Sequence, residues 1–87
     1  MAKGIVEGYL VQSKYEKDGK KHEPKNEGVA FNEYDARDII EREAVYYNDS
    51  WNGYSRVLMD NGVAYTSRDK NEMIIYTIEK CLVIVGA

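Results

Sequence analysis

The chain opens with an alternation of apolar and polar residues that is typical of a β-strand. In the segment GIVEGYLVQSKYE, Ile5, Tyr9 and Val11 fall on one face of an extended chain, and Val6 and Leu10 fall on the other. Tyrosine and valine both favour a pleated surface. We therefore expect a strand that starts near Ile5 and ends where the polar residues take over.

A polar arm follows, with the sequence KYEKDGKKHEPKNEG. Its Asp18-Gly19 pair is a turn signal and predicts a hairpin with its tip near residues 17–20. Pro24 has no N–H group to donate, so the returning arm is expected to be an edge strand or a loop. The arm is also the one locally basic segment, and three lysines surround the expected tip: Lys17, Lys20 and Lys21.

The segment FNEYDARDIIEREAVYY has the spacing of an amphipathic helix over about residues 33–45. Asn32 suits the N-cap, and the acids Glu33 and Asp35 suit the first turn. The sequence NDSWNG contains turn-forming residues and is expected to end the helix. The predicted core face consists of the following residues: Ala36, Ile39, Ile40, Ala44 and Tyr47.

Two further segments predict strands. Asn61-Gly62 lies between two apolar runs and predicts a β-hairpin with a type I′ turn, which needs positive φ at both central residues. The closing segment MIIYTIEKCLVIVGA is rich in β-branched residues and predicts one bulged strand or two short ones. Its final run is apolar on both faces, so we expect Leu82, Ile84 and Val85 to be buried, in the core or across a subunit interface.

The order of elements is strand, weak strand, helix and then three strands. One helix packed on a mainly antiparallel sheet of four to five strands buries both apolar surfaces, which predicts a single α+β domain over residues 1–87. The chain has a net charge of −3, which argues against a simple phosphate-neutralising protein. A lone cysteine and the absence of a long apolar run favour a cytoplasmic protein with no membrane segment.

The sequence contains no recognisable catalytic, metal or cofactor motif. His22 is the only histidine and lies in the polar arm, where a solvated ring is expected. Cys81 lies in an apolar strand and is expected to be a buried, inert thiol. The helix acids belong on its solvent face, except that Glu43 borders the apolar stripe. We therefore expect a non-enzymatic protein without a cofactor.

The aromatic residues give the strongest functional signal. The stretch YYNDSWNGY holds Tyr46, Tyr47, Trp51 and Tyr54 among Asn, Asp, Ser and Gly, which is the composition of a recognition loop. Aromatic residues also cap small cores, with their polar tips reaching water. We expect Tyr47 and Trp51 to pack on the core, and Tyr46 and Tyr54 to face a partner.

In size and element order, residues 5 to 78 resemble some small phage anti-CRISPR proteins. The residues that carry the likeness are the strand GIVEGYLVQSKYE, the polar arm, the helix NEYDARDIIERE and the hairpin YSRVLMDNGVAYTSRD. The resemblance implies a stoichiometric inhibitor that occludes a site on a host defence complex. It implies no residue-level correspondence.

Three functional hypotheses follow. The first is a binding protein that contacts a protein or ribonucleoprotein complex, as a phage or mobile-element inhibitor would. The second is a nucleic-acid or nucleotide binder, in which Lys17, Lys20 and Lys21 contact phosphates while Tyr46, Trp51 or Tyr54 stack on bases. The third is a structural subunit that forms a homodimer or larger oligomer through its terminal strands.

Overall fold

A computed structural model of the chain describes residues 4–51 and 53–86. These described residues form one helix and a single antiparallel sheet of six strands, which confirms the α+β class. The element bounds are β1 Gly4–Lys17, β2 Lys20–Lys21, β3 Lys25–Ala30, α1 Glu33–Trp51, β4 Tyr54–Met59, β5 Gly62–Ser67 and β6 Glu72–Val85. The strand order is β2-β1-β6-β5-β4, with β3 also paired to β1.

The sheet is built on a spine of two long strands. β1 and β6 have 14 residues each and pair in one unbroken register from Gly4 with Val85 to Lys17 with Glu72. The terminal segment is therefore one regular strand, without the interruption that Glu79-Lys80 suggested. The sheet has six strands where four to five are predicted, because the polar arm forms two edge strands on β1, the two-residue β2 and the six-residue β3.

Helix α1 begins where the sequence predicts and ends later. The Asn32 side chain accepts a hydrogen bond from the Asp35 backbone N–H at 2.8 Å, which confirms the N-cap. The helix continues to Trp51 instead of ending near residue 45. Trp51 lies seven residues after Ala44, so both fall on the face that packs against the core. This packing outweighs the turn preference of NDSWNG.

The core lies between α1 and one face of the sheet. Val11, Tyr65 and Tyr76 of the sheet and Ala36 and Ile40 of the helix are fully buried. In the described part of the molecule all ten buried hydrophobic residues fall between Val11 and Ile78. The predicted core positions Ala36, Ile40 and Ala44 are confirmed and Ile39 is partly buried, whereas the side chain of Tyr47 lies outside what the structure describes.

Positive φ values occur at the Asp18-Gly19 turn and not at the Asn61-Gly62 hairpin. The hairpin at Asn61-Gly62 is confirmed, but neither residue is among the described residues with positive φ, so the predicted type I′ turn is wrong. Gly62 is instead the first residue of β5, paired with Met59. Asp18 and Gly19 have φ values of 52° and 80°, so the two-residue turn with positive φ at both positions joins β1 to β2.

The final apolar run is not buried in the core. Leu82 and Ile84 are largely exposed and Val85 is partly buried, because β6 extends beyond both the helix and β5. The expectation that these residues join the core is therefore wrong. Cys81, expected to be buried, is only partly so.

Candidate functional site

A cleft of about 470 Å³ opens beside helix α1, between the helix and the polar arm. It unites parts of the sequence that are far apart, because the antiparallel pairing of β1 with β3 carries the arm back along the helix. The residues that line it are Ser13, Tyr15, His22, Glu23, Lys25, Glu27, Glu43, Tyr46 and Ile74.

Glu27 reaches the floor of the cleft because of a β-bulge. Val11 pairs with Gly28 and Gln12 pairs with Asn26, so Glu27 is the extra residue of β3 at a register shift. A bulge of this kind changes the direction of a side chain. The Glu27 side chain is only 7% exposed; it accepts a hydrogen bond from Ser13 Oγ at 3.0 Å and lies 3.9 Å from Lys25 Nζ.

Glu43 of the helix meets Glu27 at the floor. Burial, and after it the contact with Glu27, raise the pKa of Glu43 to about 7 against the opposing effects of the Tyr76 hydroxyl and Lys25. Two carboxyl groups in contact favour a proton between them. At neutral pH the floor is therefore both a hydrogen-bond acceptor and, in part, a donor.

Aromatic rings border this floor. Tyr46 projects from the helix with 68% of its surface exposed, although it lines the same cleft. Across the cleft the Tyr15 and His22 rings lie 5.0 Å apart at an interplanar angle of 52°. The combination of carboxyl groups below and aromatic faces at the rim suits a ligand group that is a cation or a hydrogen-bond donor.

The other aromatic residues predicted for recognition lie elsewhere. Trp51 is partly buried against the core, as expected, and its indole N–H donates to Glu72 Oε2. Tyr54 was expected to face a partner, but it is partly buried and packs edge-on against Tyr65 with ring centroids 5.0 Å apart. The stretch from 46 to 54 is therefore not one surface: Tyr46 faces the cleft, and Trp51 and Tyr54 support the core.

The predicted lysines lie together at the hairpin tip. Lys17, Lys20 and Lys21 are all exposed, and Lys17 Nζ lies 3.6 Å from Glu72 Oε1. Glu72 thus contacts both Lys17 and Trp51. These contacts connect Lys17 and Trp51, two of the predicted site residues, through Glu72 and outside the cleft.

Several cleft residues were missed in the sequence. Ser13, Tyr15 and Glu27 belong to strands whose alternation says which residues share a face but not which cleft they line. The bulge that turns Glu27 inward leaves no recognisable pattern in KNEGVA. Glu43 gave the one readable signal, since it borders the apolar stripe of an otherwise solvated row of helix acids.

Two other features are absent from the described residues, a cluster of metal ligands and a membrane-spanning helix. Among residues 4–51 and 53–86, no group of three or more His, Cys, Asp or Glu residues is arranged to hold a metal ion. Among the described residues no helix is both long enough and apolar enough to cross a membrane. Comparison with protein-family models, with curated proteins and with solved structures gives no match for the chain.

Proposed function

We propose that the chain is a small binding protein that acts by contact with a partner protein, with the cleft beside helix α1 as its recognition site. The observation that carries this proposal is the position of Tyr46, an exposed tyrosine at the rim of a cleft whose floor is a carboxyl pair. Tyrosine is enriched among the few residues that contribute most of the binding energy at protein interfaces, and these residues cluster around pockets.

The chemistry of the cleft favours a basic side chain of the partner. An arginine or lysine side chain that enters the cleft would approach Glu27 and Glu43 while its stem lies against Tyr46. Lys25, whose side chain is mostly exposed, already lies near Glu27 and would be displaced towards solvent. The partner surface is thus expected to present a cationic side chain that is surrounded by polar residues.

Nucleic-acid binding is the weaker alternative. The lysines of the hairpin tip share that end of the molecule with Glu16, Asp18 and Glu72, so their charge is largely balanced locally. A phosphate-binding surface normally has a clear excess of positive charge. The acidic floor of the cleft would also repel phosphate groups.

The resemblance to small phage inhibitors suggests the first partner to test, a host defence complex. A small inhibitor of this kind would act by occupying a site that the complex needs for another molecule. The cleft and Tyr46 would then be the contact that determines affinity.

The test compares two tyrosines of the same helix. Tyr46→Ala removes the ring at the cleft, whereas Tyr34→Ala removes an 83% exposed ring that does not line it. We expect Tyr46→Ala to weaken binding to a partner isolated from host lysate by about thirtyfold, equivalent to ~2 kcal/mol. Both variants should keep the free energy of unfolding within ~0.5 kcal/mol of the wild type.

Equal binding by the wild type and Tyr46→Ala would contradict the assignment of the cleft. Salt dependence separates the two functional classes, because phosphate contacts give a steep fall of affinity with salt and a single buried cation does not. A steep salt dependence that is lost in a Lys20→Ala, Lys21→Ala double variant would move the recognition site to the hairpin tip.

A further inference from the structure

The end of the spine opposite the hairpin tip is a two-stranded ribbon. We define the terminal ribbon as residues 4–8 of β1 paired with residues 81–85 of β6. β3 pairs with β1 only as far as Tyr9, and β5 pairs with β6 only as far as Thr77. Among the described residues no other strand pairs with the ribbon, so both of its edges are open.

The direction of the backbone groups on the β6 edge follows from a single hydrogen bond. The Ile78 N–H donates to the Asn61 carbonyl, on the side of β6 that faces β5. Because backbone groups alternate along a strand, those of Lys80, Leu82 and Ile84 point to the same side, beyond the end of β5. Each of these residues presents one N–H and one C=O at the open edge.

The same ribbon carries apolar side chains on the face that forms the core farther along. Val11 pairs with Ile78 in the core, and two-residue steps from this pair place Tyr9 with Lys80, Glu7 with Leu82, and Ile5 with Ile84 on that face. Ile5, Leu82 and Ile84 are 67%, 73% and 71% exposed. The core layer therefore continues into a region that the helix does not cover.

We infer that the terminal ribbon pairs with the ribbon of a second copy, β6 against β6, about a two-fold axis through Leu82. In this antiparallel register Leu82 pairs with its own counterpart, and Lys80 pairs with Ile84 of the other copy. The three outward residues of each copy then exchange all their N–H and C=O groups. A single open edge is sufficient, because an antiparallel two-fold makes the edge complementary to itself.

The charges of the segment are compatible with this pairing. Glu79 falls opposite Val85 of the other copy and Lys80 opposite Ile84, so no like charges face each other across the axis. The axis is perpendicular to the sheet, which places the exposed Ile5, Leu82 and Ile84 of both copies on one face, where Glu7 and Lys80 lie among them. A strand from an unrelated protein would need its own apolar residues at these positions, whereas a second copy supplies them.

The β4 edge, which is also open, is a weaker candidate. Arg56 lies along β4 and its guanidinium contacts Glu41 and the Tyr65 hydroxyl, which places a charged side chain on that edge. β4 nevertheless provides a matched control, because its Leu58 is 62% exposed and lies on the same face of the sheet as Leu82.

The first experiment measures mass by sedimentation from low to high micromolar protein. We expect the wild type to approach twice its 10.0 kDa mass as the concentration rises. Leu82→Lys should weaken self-association at least tenfold, because it places two like charges on the axis, whereas Leu58→Lys should leave it unchanged. Circular dichroism melting of both variants checks that the fold is retained.

A crosslinking experiment tests the register in a Cys81→Ser background. Residues paired across an antiparallel ladder have Cα atoms ~5.5 Å apart, within the range of a disulfide. Leu82→Cys should therefore form a covalent dimer on oxidation, and Ile84→Cys alone should not. A wild type that stays monomeric at all concentrations, or a dimer that Leu58→Lys disrupts and Leu82→Lys does not, would overturn the inference.

Discussion

Gly62 shows how one residue determines the approach of two strands. It is buried at the start of β5, where a Cβ atom would collide with the carbonyl oxygen and carbon of Tyr76 in β6. The Asn61-Gly62 pair correctly predicts a hairpin, but the reason for the glycine is not the one that the sequence indicates. The glycine is required by close approach of the backbones and not by positive φ.

We expect Gly62→Ala to lower the free energy of unfolding by ~3 kcal/mol, because the backbone of β6 cannot move away without disturbing the core at Tyr76. Gly4→Ala is the control, since a Cβ at Gly4 meets only the Val85 side chain at an ordinary 3.6 Å. Chemical denaturation of both variants measures the effect. Equal stability of Gly62→Ala and the wild type would show that the two strands are farther apart than the structure places them.

At the scale of elements, the contact between β3 and α1 depends on protonation. Glu27 comes from the bulge of β3 and Glu43 from the helix, with Lys25 and the Tyr76 hydroxyl as their neighbours. The pKa of an unperturbed glutamate is 4.5, whereas burial raises the pKa of Glu43 in the folded protein to about 7. The contribution of Glu43 to stability is therefore complete below pH 4.5 and is lost as the pH rises to about 7.

Replacement of Glu43 by glutamine should remove this loss. We expect Glu43→Gln to be more stable than the wild type by about 1 kcal/mol at pH 8, a value reduced for solvent screening because much of the side chain is exposed. The difference should shrink towards pH 5. Glu79→Gln, which replaces an exposed glutamate of β6, is the control. If the melting temperatures of all three proteins change in parallel with pH, the expectation is contradicted.

The sequence predicts which helices and strands form more accurately than where they end or which residues line the cleft. The N-cap at Asn32, the turn at Asp18-Gly19 and the hairpin near Asn61-Gly62 are local signals that the structure confirms, although the hairpin turn lies one residue earlier than predicted, at residues 60–61. The end of helix α1 depends on the contact of Trp51 with a distant sheet, and the inward direction of Glu27 depends on a register shift between two strands. Neither can be derived from neighbours along the chain. The sequence does not predict the cleft for the same reason, although it points to Tyr46 and to Glu43 separately.

The whole molecule is elongated, with principal extents of 53 × 23 × 22 Å, because its two 14-residue strands extend past the helix at one end. The helix-covered body contains the core and the cleft. The terminal ribbon contains exposed aliphatic side chains and open edges. This division predicts that folding and self-association belong to different parts of the chain.

Two truncations that differ by three residues test this division. A chain that ends at Lys80 loses Leu82 and Ile84 but none of the buried hydrophobic residues, so it should still unfold cooperatively. Its melting temperature should fall by less than about 8 °C, because a loss near 1 kcal/mol shifts a domain of this size by 4–8 °C. A chain that ends at Thr77 also loses Ile78, which is 8% exposed and bonded to Asn61, and should be much less stable. Only the wild type should self-associate. If the chain that ends at Lys80 fails to fold, the terminal ribbon is needed for folding. The ribbon would then be explained by its role in stability and not by a role as a surface for a second copy.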